Sequence, residues 1–374
     1  MSGVDVEFTL ALNNATGKYF TCLDLIDSAR DLISDTLYWR LAPEKMPRGL
    51  EARVLGRLAL EEIELRRKSP AAHRLAPLMS RRRPVVFTDP REVIFHQLKP
   101  CDVVLCHDVG PITHAELYHP IVKPTYSLAF SKIQQARPLM LFVSQTSLDA
   151  FAELYGRDFP LMRVMHPPMR TGIHDGPEDP VPGAPDRFFL SVGSIGARKN
   201  QARAIKAFHK TGLAKQGLGY MICGGPEPGF ETVVELADRI PGVFRPGYVT
   251  DRQLRWLYRR AIGFVLPSLL EGFGSPAPEA VAYDLVPLVG RGGALHEVAG
   301  DGAVLVEPLD VDSIAAGMEH LAHMSIAERQ SRLRQLRANT AKFSPAAAFA
   351  IWRETLVQAA RLSAETGASR REAA

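Results

Sequence analysis

Along the first residues apolar and polar positions alternate. Val4, Val6, Phe8 and Leu10 share one face of an extended chain, which predicts a strand. Phe20, Leu23, Ile26 and Leu37 then recur near helical spacing, so a helix is expected from Tyr19 to Ile33. Short apolar runs follow at 84–87, 102–106 and 139–143, each long enough for a buried strand. The second half repeats the rhythm at 188–192, 219–223, 242–245, 263–266, 286–289 and 303–306, with helical patterns in most gaps. Strands alternating with helices predict parallel, doubly wound sheets. Between the halves lie Pro167, Pro168, Pro177, Pro180, Pro182 and Pro185, with Gly172, Gly176 and Gly183 among them. Such a run continues neither a helix nor a central strand. The expected organisation is therefore an N-terminal domain over 1–168, a linker over 169–186 and a C-terminal domain over 187–345. An amphipathic helix over 346–362 and a disordered polar tail over 363–374 complete it.

Composition narrows the class. A chain of 374 residues, 46% apolar and 23% charged, has room for two globular domains. No stretch approaches the roughly 20 apolar residues of a membrane span, and residues 1–7 lack the basic start and apolar centre of a signal peptide. Cys22, Cys101, Cys106 and Cys223 sit among apolar residues without metal spacing, which predicts buried thiols and a cytoplasmic setting. A net charge of +4 is too small to argue for nucleic acid. The charge is uneven, however: Arg66, Arg67, Lys68, His73, Arg74, Arg81, Arg82 and Arg83 cluster with Leu75, Leu78 and Met79 between them. This stretch reads either as a solvated face or as a surface for anionic lipid on the inner face of a membrane.

The candidate chemistry centres on residues 267–280. A buried strand leads into Glu271, Gly272, Phe273 and Gly274, and a helix is expected from Glu279 to Leu285, with Ser275 as its cap and Pro276 in its first turn. Gly272 and Gly274 let backbone N–H groups approach a ligand. A helix N-terminus suits phosphate, and the carboxylates Glu271 and Glu279 suit sugar hydroxyls. Together they suggest a nucleotide sugar, although an ordinary strand-to-helix turn would use similar residues. A second loop, Gly193 to Asn200, places Arg198 and Lys199 where a helix begins, with Asn200 as the expected cap. Two cations there oppose the helix dipole unless an anion lies between them, and a diphosphate would be that anion.

Glu271 and Glu279 stand in the spacing Glu-x7-Glu, which resembles the motif of retaining glycosyltransferase family 4. The resemblance implies a GT-B fold, two Rossmann-like domains facing each other across a cleft. It also implies that Arg198 and Lys199 contact the donor diphosphate, that Glu271 contacts the sugar hydroxyls and that Glu279 contacts the nucleotide ribose. The amides of Gly272, Phe273 and Gly274 would face phosphate or sugar. His107, at a strand end before Asp108 and Pro111, matches the family's histidine near the donor sugar. Gly17 is the only match in the first strand-to-helix loop, and Gly17-Lys18 lacks a full P-loop. The segment from Phe244 to Asp251, followed by Leu254, Leu257 and Tyr258, resembles the loop flanking the base, where Tyr248, Val249 and Leu254 would lie.

The implied function is a retaining, metal-independent hexosyltransferase that uses GDP-mannose or a similar NDP-hexose. Its acceptor would be a glycan or a lipid-linked saccharide in polysaccharide or O-antigen assembly. No cofactor is expected, since the nucleotide sugar is a substrate. The Asp310-Val311-Asp312 triplet reads as a helix cap rather than a metal motif. Departures from the family pattern are Asp284-Leu285 in place of a glycine and Pro345 in place of a tryptophan. A non-catalytic GT-B protein that binds nucleotide without transfer is the alternative, but such a protein should have lost Glu271, Arg198 or Lys199. An NAD enzyme would need a Gly-x-Gly-x-x-Gly after a strand, which the chain lacks.

Overall fold

The computed structural model describes residues 3–12, 17–69, 81, 83–170 and 175–372, with side chains to Thr366. Residues 13–16, the basic residues His73, Arg74 and Arg82, and linker residues 171–174 lie outside that set. The chain divides into two compact units. Unit 1 comprises 1–115, 119–168 and 345–374, and unit 2 comprises 116–118 and 169–344. Each is built on a six-stranded, all-parallel sheet with helices between successive strands. Each unit is a Rossmann-like, doubly wound domain, as a GT-B chain requires.

In unit 1 the strands are β1 (Val4–Glu7), β2 (Ile33–Leu37), β3 (Val85–Phe87), β4 (Val103–Cys106), β5 (Leu139–Phe142) and β6 (Met162–Val164). Their order is β2-β1-β3-β4-β5-β6. In unit 2 they are β7 (Arg187–Val192), β8 (Leu218–Cys223), β9 (Val243–Gly247), β10 (Gly263–Leu266), β11 (Pro287–Gly290) and β12 (Val304–Val306), in the order β12-β11-β10-β7-β8-β9. Central strands such as β4, β8 and β10 are buried at every residue. A parallel sheet covered on both faces asks for unbroken apolar strands, and these sequences supply them.

Strand order locates the binding regions before any side chain is considered. The chain leaves β7 toward β8 on one side and resumes with β10 on the other, so the loops after β7 and β10 part at the carboxyl edge. Crevices at such switch points are where open α/β sheets hold ligands. Unit 1 has the corresponding point between β1 and β3.

Several local expectations need correction. The first strand ends at Glu7, and Thr9–Leu12 is a 3-10 turn. The helix expected to reach Ile33 spans Gly17–Ser28, and Ile33–Leu37 is β2. The last helix runs from Pro345 to Glu372, so residues 363–366 of the expected tail are helical. Arg361 and Glu365 pair one turn apart at 2.9 Å there. Among the basic residues, Arg66 pairs with Glu62, Lys68 with Glu64, Arg81 with Asp102, and Arg83 with Asp5 and Asp35. Those groups serve the fold of unit 1. No helix among the described residues is long and apolar enough to cross a membrane.

Candidate active site

The loop after β7 and the loop after β10 meet in unit 2. The Leu269 N–H donates to the Arg198 carbonyl at 2.9 Å, which fixes one loop against the other. Lys199 Nζ donates to Glu271 Oε1 at 2.6 Å, and Arg198 Nη1 donates to Glu271 Oε2 and to the Leu270 carbonyl, both at 3.2 Å. The Lys199 and Glu271 side chains are each only 7% exposed, so this pair is shielded from solvent. Burial pushes the Glu271 carboxyl up, but Lys199 and then Arg198 outweigh it and hold the group below its ordinary value. Glu271 is thus a carboxylate in the structure, and it occupies the cations proposed for a diphosphate.

Asn200 stands in the cap position of the helix Gln201–Thr211, yet its side chain makes no capping bond, which corrects the expectation. Its φ is +62°, and its Nδ2 donates to the carbonyls of Pro267 (2.9 Å) and Pro308 (2.6 Å). Buried carbonyls without partners are costly, and this tertiary demand overrides the local cap. Ser275 is corrected likewise: it lies in helical conformation before the helix Pro276–Ala282 and caps nothing. Gly274 has φ +86°, and a Cβ there would fall 2.3 Å from Leu295 Cδ2. Both the conformation and the space require glycine. Phe273 is buried and meets the Phe343 ring edge-on at 5.1 Å.

Glu279 lies in the first turn of that helix, as its spacing implies. It is buried, and the Tyr258 hydroxyl donates to its Oε2 at 3.3 Å. Burial raises its carboxyl to about 7, although the Tyr258 bond and Arg170 oppose the shift. Tyr258 in turn stacks on Tyr283 at 4.9 Å. Of the expected base-flanking residues, Tyr248 is 82% exposed and Val249 is half-buried, whereas Leu254 is turned into the core from the helix Asp251–Arg260. The Leu254 side chain therefore packs the fold. Asp310 accepts from the Asp312 N–H at 2.8 Å and caps the helix Val311–His323. No group of His, Cys, Asp and Glu suited to a metal occurs among the described residues.

In unit 1, His107 follows β4 and is buried, with Nε2 2.8 Å from the Thr88 carbonyl. A carbonyl only accepts, so Nε2 carries the proton and Nδ1 is left as an acceptor. Burial, then Lys18, lowers this imidazole to about 4 and keeps it neutral near pH 7. Gly17 opens the helix Gly17–Ser28, with open space where a Cβ would stand. Its neighbour Lys18 reaches Asp89 at 3.5 Å, and Arg91 and Tyr126 also bind that carboxylate.

Sequence reasoning placed Tyr258 with the base-flanking segment without its bond to Glu279, and it missed Glu227. Glu227 follows the Gly224-Gly225-Pro226 turn after β8 and accepts from Arg198 Nη2 at 3.0 Å. A carboxylate placed after a glycine-rich strand end was the only available signal.

Comparison with known proteins adds the following. Residues 178–342 match the family model "Glycosyl transferases group 1". The chain is 27% identical over 246 residues to O-antigen chain mannosyltransferase B of Escherichia coli, covering 62% of this chain and 63% of that protein. It is 28% identical over 262 residues to the serotype-specific mannosyltransferase WbdA of the same species, where the match spans 65% of this chain and 31% of the relative. These matches thus span less than two thirds of either relative. The MMP alpha-(1->4)-mannosyltransferase of Mycolicibacterium hassiacum is 43% identical over 76 residues, 20% of this chain and 18% of its own. Among solved structures, trehalose-6-phosphate synthase OtsA superposes with a TM-score of 0.64 over 96% of this chain and 99% of its own, at 16% identity. A Burkholderia xenovorans trehalose-phosphate synthase gives 0.62 at 14% identity, over 96% and 100% of the two chains. The structural likeness bears on fold; the family model and the relatives support a GT-B glycosyltransferase.

Proposed function

We propose that the chain is a retaining, metal-independent glycosyltransferase acting in polysaccharide or O-antigen assembly. It would move mannose from GDP-mannose, or a similar NDP-hexose, to a glycan or lipid-linked saccharide. The observation that carries this reading is the Arg198–Lys199–Glu271 cluster at the switch point of unit 2. The relatives' names favour mannose as the sugar. Cleavage of the donor leaves negative charge on the diphosphate and oxocarbenium character on the sugar. Arg198 and Lys199 are cations for the former, and they stabilise the leaving group once Glu271 has moved off them. Glu271, displaced from Lys199, becomes an acceptor for sugar hydroxyls, and Glu279 becomes one for the ribose. The amides of Gly272, Phe273 and Gly274 would complete the cradle.

For His107 the resemblance assigns a contact with the donor sugar. Its neutral imidazole, with Nδ1 as an acceptor, suits a hydroxyl rather than a phosphate. A peripheral contact with anionic lipid from the inner, cytoplasmic face would rest on the basic stretch Arg66 to Arg83, of which Arg66, Arg81 and Arg83 are ion-paired within unit 1. Loss of vesicle binding on charge reversal at Arg74 and Arg82 is the expected result.

The decisive experiment incubates the protein with GDP-mannose and other GDP-, UDP- and dTDP-sugars and follows nucleotide release. Release by the wild type, lost in Glu271→Ala and Lys199→Ala, supports the assignment. Equal release by all three would remove these residues from the reaction.

A further inference from the structure

Arg198 divides its guanidinium between two acids. Nη1 faces Glu271 and the Leu270 carbonyl, while Nη2 faces Glu227 at 3.0 Å. Lys199, by contrast, binds Glu271 at 2.6 Å. If an incoming diphosphate releases Glu271, Arg198 still has an anchor. We propose that Glu227 is a positioning residue, which holds Arg198 aimed at the leaving group while Glu271 exchanges its two cations for sugar hydroxyls. This rests on the donor reading above and assigns Glu227 a role within it.

Two further observations support the assignment. The loops after β7 and β8 are fastened together: the Glu227 N–H donates to the Ile195 carbonyl at 2.9 Å, Ile195 N–H to Gly225 at 2.7 Å, and Ala197 N–H to Pro228 at 2.8 Å. Gly196 completes the contact, since a Cβ there would lie 2.4 Å from Glu227 Cγ. The carboxylate and the arginine it holds are therefore carried by one double loop. Moreover, Glu227 Oε1 is buried and has no hydrogen-bond partner among the described residues. Buried acceptors in native folds are ordinarily satisfied. A carboxylate retained for packing would use both oxygens, whereas this one serves Arg198 alone. Its planar fork is pre-organised by such a contact, and misplacement of a charge-stabilising group is costly for binding and catalysis.

The test measures binding of GDP and UDP by calorimetry, with melting temperatures alongside, for wild type, Arg198→Ala, Glu227→Ala, Glu227→Gln and the double alanine variant. Glu227→Gln keeps an acceptor for Nη2 and removes one negative charge, so it binds as tightly as wild type or tighter. Glu227→Ala is expected to bind about tenfold more weakly than Glu227→Gln, the order of a misdirected charged hydrogen bond. The double variant should bind no more weakly than Arg198→Ala alone, because Glu227 acts through that residue. If Arg198→Ala weakens binding but Glu227→Ala does not, or if the two losses add, the positioning role is overturned and the donor reading stands. Wild type binding neither nucleotide, or Arg198→Ala binding as wild type does, would overturn the donor reading and this role with it.

Discussion

The two units solve the same problem, charge at the carboxyl edge of a parallel sheet, in opposite ways. At the β1/β3 edge of unit 1, acids and bases close on one another. Glu7 accepts from Thr9, the Trp39 and Arg40 N–H groups and His96, while Glu92 accepts from the N–H groups of Leu10 and Asp89 and from Thr88. Burial pushes Asp89 up, but Arg91, Lys18 and His107 outweigh it and hold the carboxyl well below its ordinary range. Glu92 is pushed the other way by burial and by Glu7. At the β7/β10 edge of unit 2, one acid, Glu271, is shared by two cations and has few other ties. A network satisfied on all sides stabilises a fold, whereas one whose central member can be replaced by a ligand is a site.

That contrast can be broken by substitution, and the largest effect should come from unit 2. Lys199→Ala is expected to lower nucleotide release by about 10²–10³-fold, the scale for losing one charge-stabilising donor, while Arg198 still pairs with Glu271 and limits the loss of stability. Asp89→Asn should do the reverse. Removing a buried charge that Arg91 and Lys18 surround costs about 3 kcal/mol, to be read from denaturant unfolding of the variant. A comparable loss of stability in Lys199→Ala would erase the distinction between the units.

The next effect depends on pH. Glu279 rises from 4.5 to about 7 on folding, so it binds a proton more readily in the native state. Its contribution is present in full below pH 4.5 and is lost as pH rises through 7. Wild type should therefore lose about 3 kcal/mol across that window relative to Glu279→Gln, whose uncharged side chain does not titrate. Parallel stability curves for the two proteins between pH 5 and 8 would contradict the burial argument. The smallest effect is expected of Tyr258→Phe, which removes a single hydrogen bond to Glu279 and about 1 kcal/mol of stability. It should also move the pH midpoint upward, since that bond favours the charged carboxylate.

Unit 2 was the more legible half of the chain. Five of its six strands are mainly apolar runs and Val243 and Phe244 mark the sixth, β9, while Pro276 and Asp310 mark helix starts that the structure contains. In unit 1, β2 and β6 escaped because they are edge strands: Ser34, Asp35 and Thr36 in one and Arg163 in the other break the apolar signal. The helix Gly49–Lys68 was obscured for a related reason, since Leu50, Val54, Leu58, Leu60 and Leu65 face outward and blur its periodicity. Asn200 and Ser275 show a different limit. Both have cap-forming side chains at helix starts, but tertiary contacts decide what Asn200 binds and backbone geometry removes Ser275. Glu227 could be recognised only through a partner 29 positions earlier in the chain.

Glu271 lends the resting site a kind of selectivity. A lone phosphate or sulfate that reached Lys199 would have to evict a carboxylate held at 2.6 Å and leave it stranded among buried groups. Under the proposed donor reading, a sugar nucleotide would bring its own compensation, because the evicted oxygen atoms would find hydroxyls on the same molecule. Common cellular anions would thereby be disfavoured, and the lock would open to a visitor carrying phosphate and carbohydrate together.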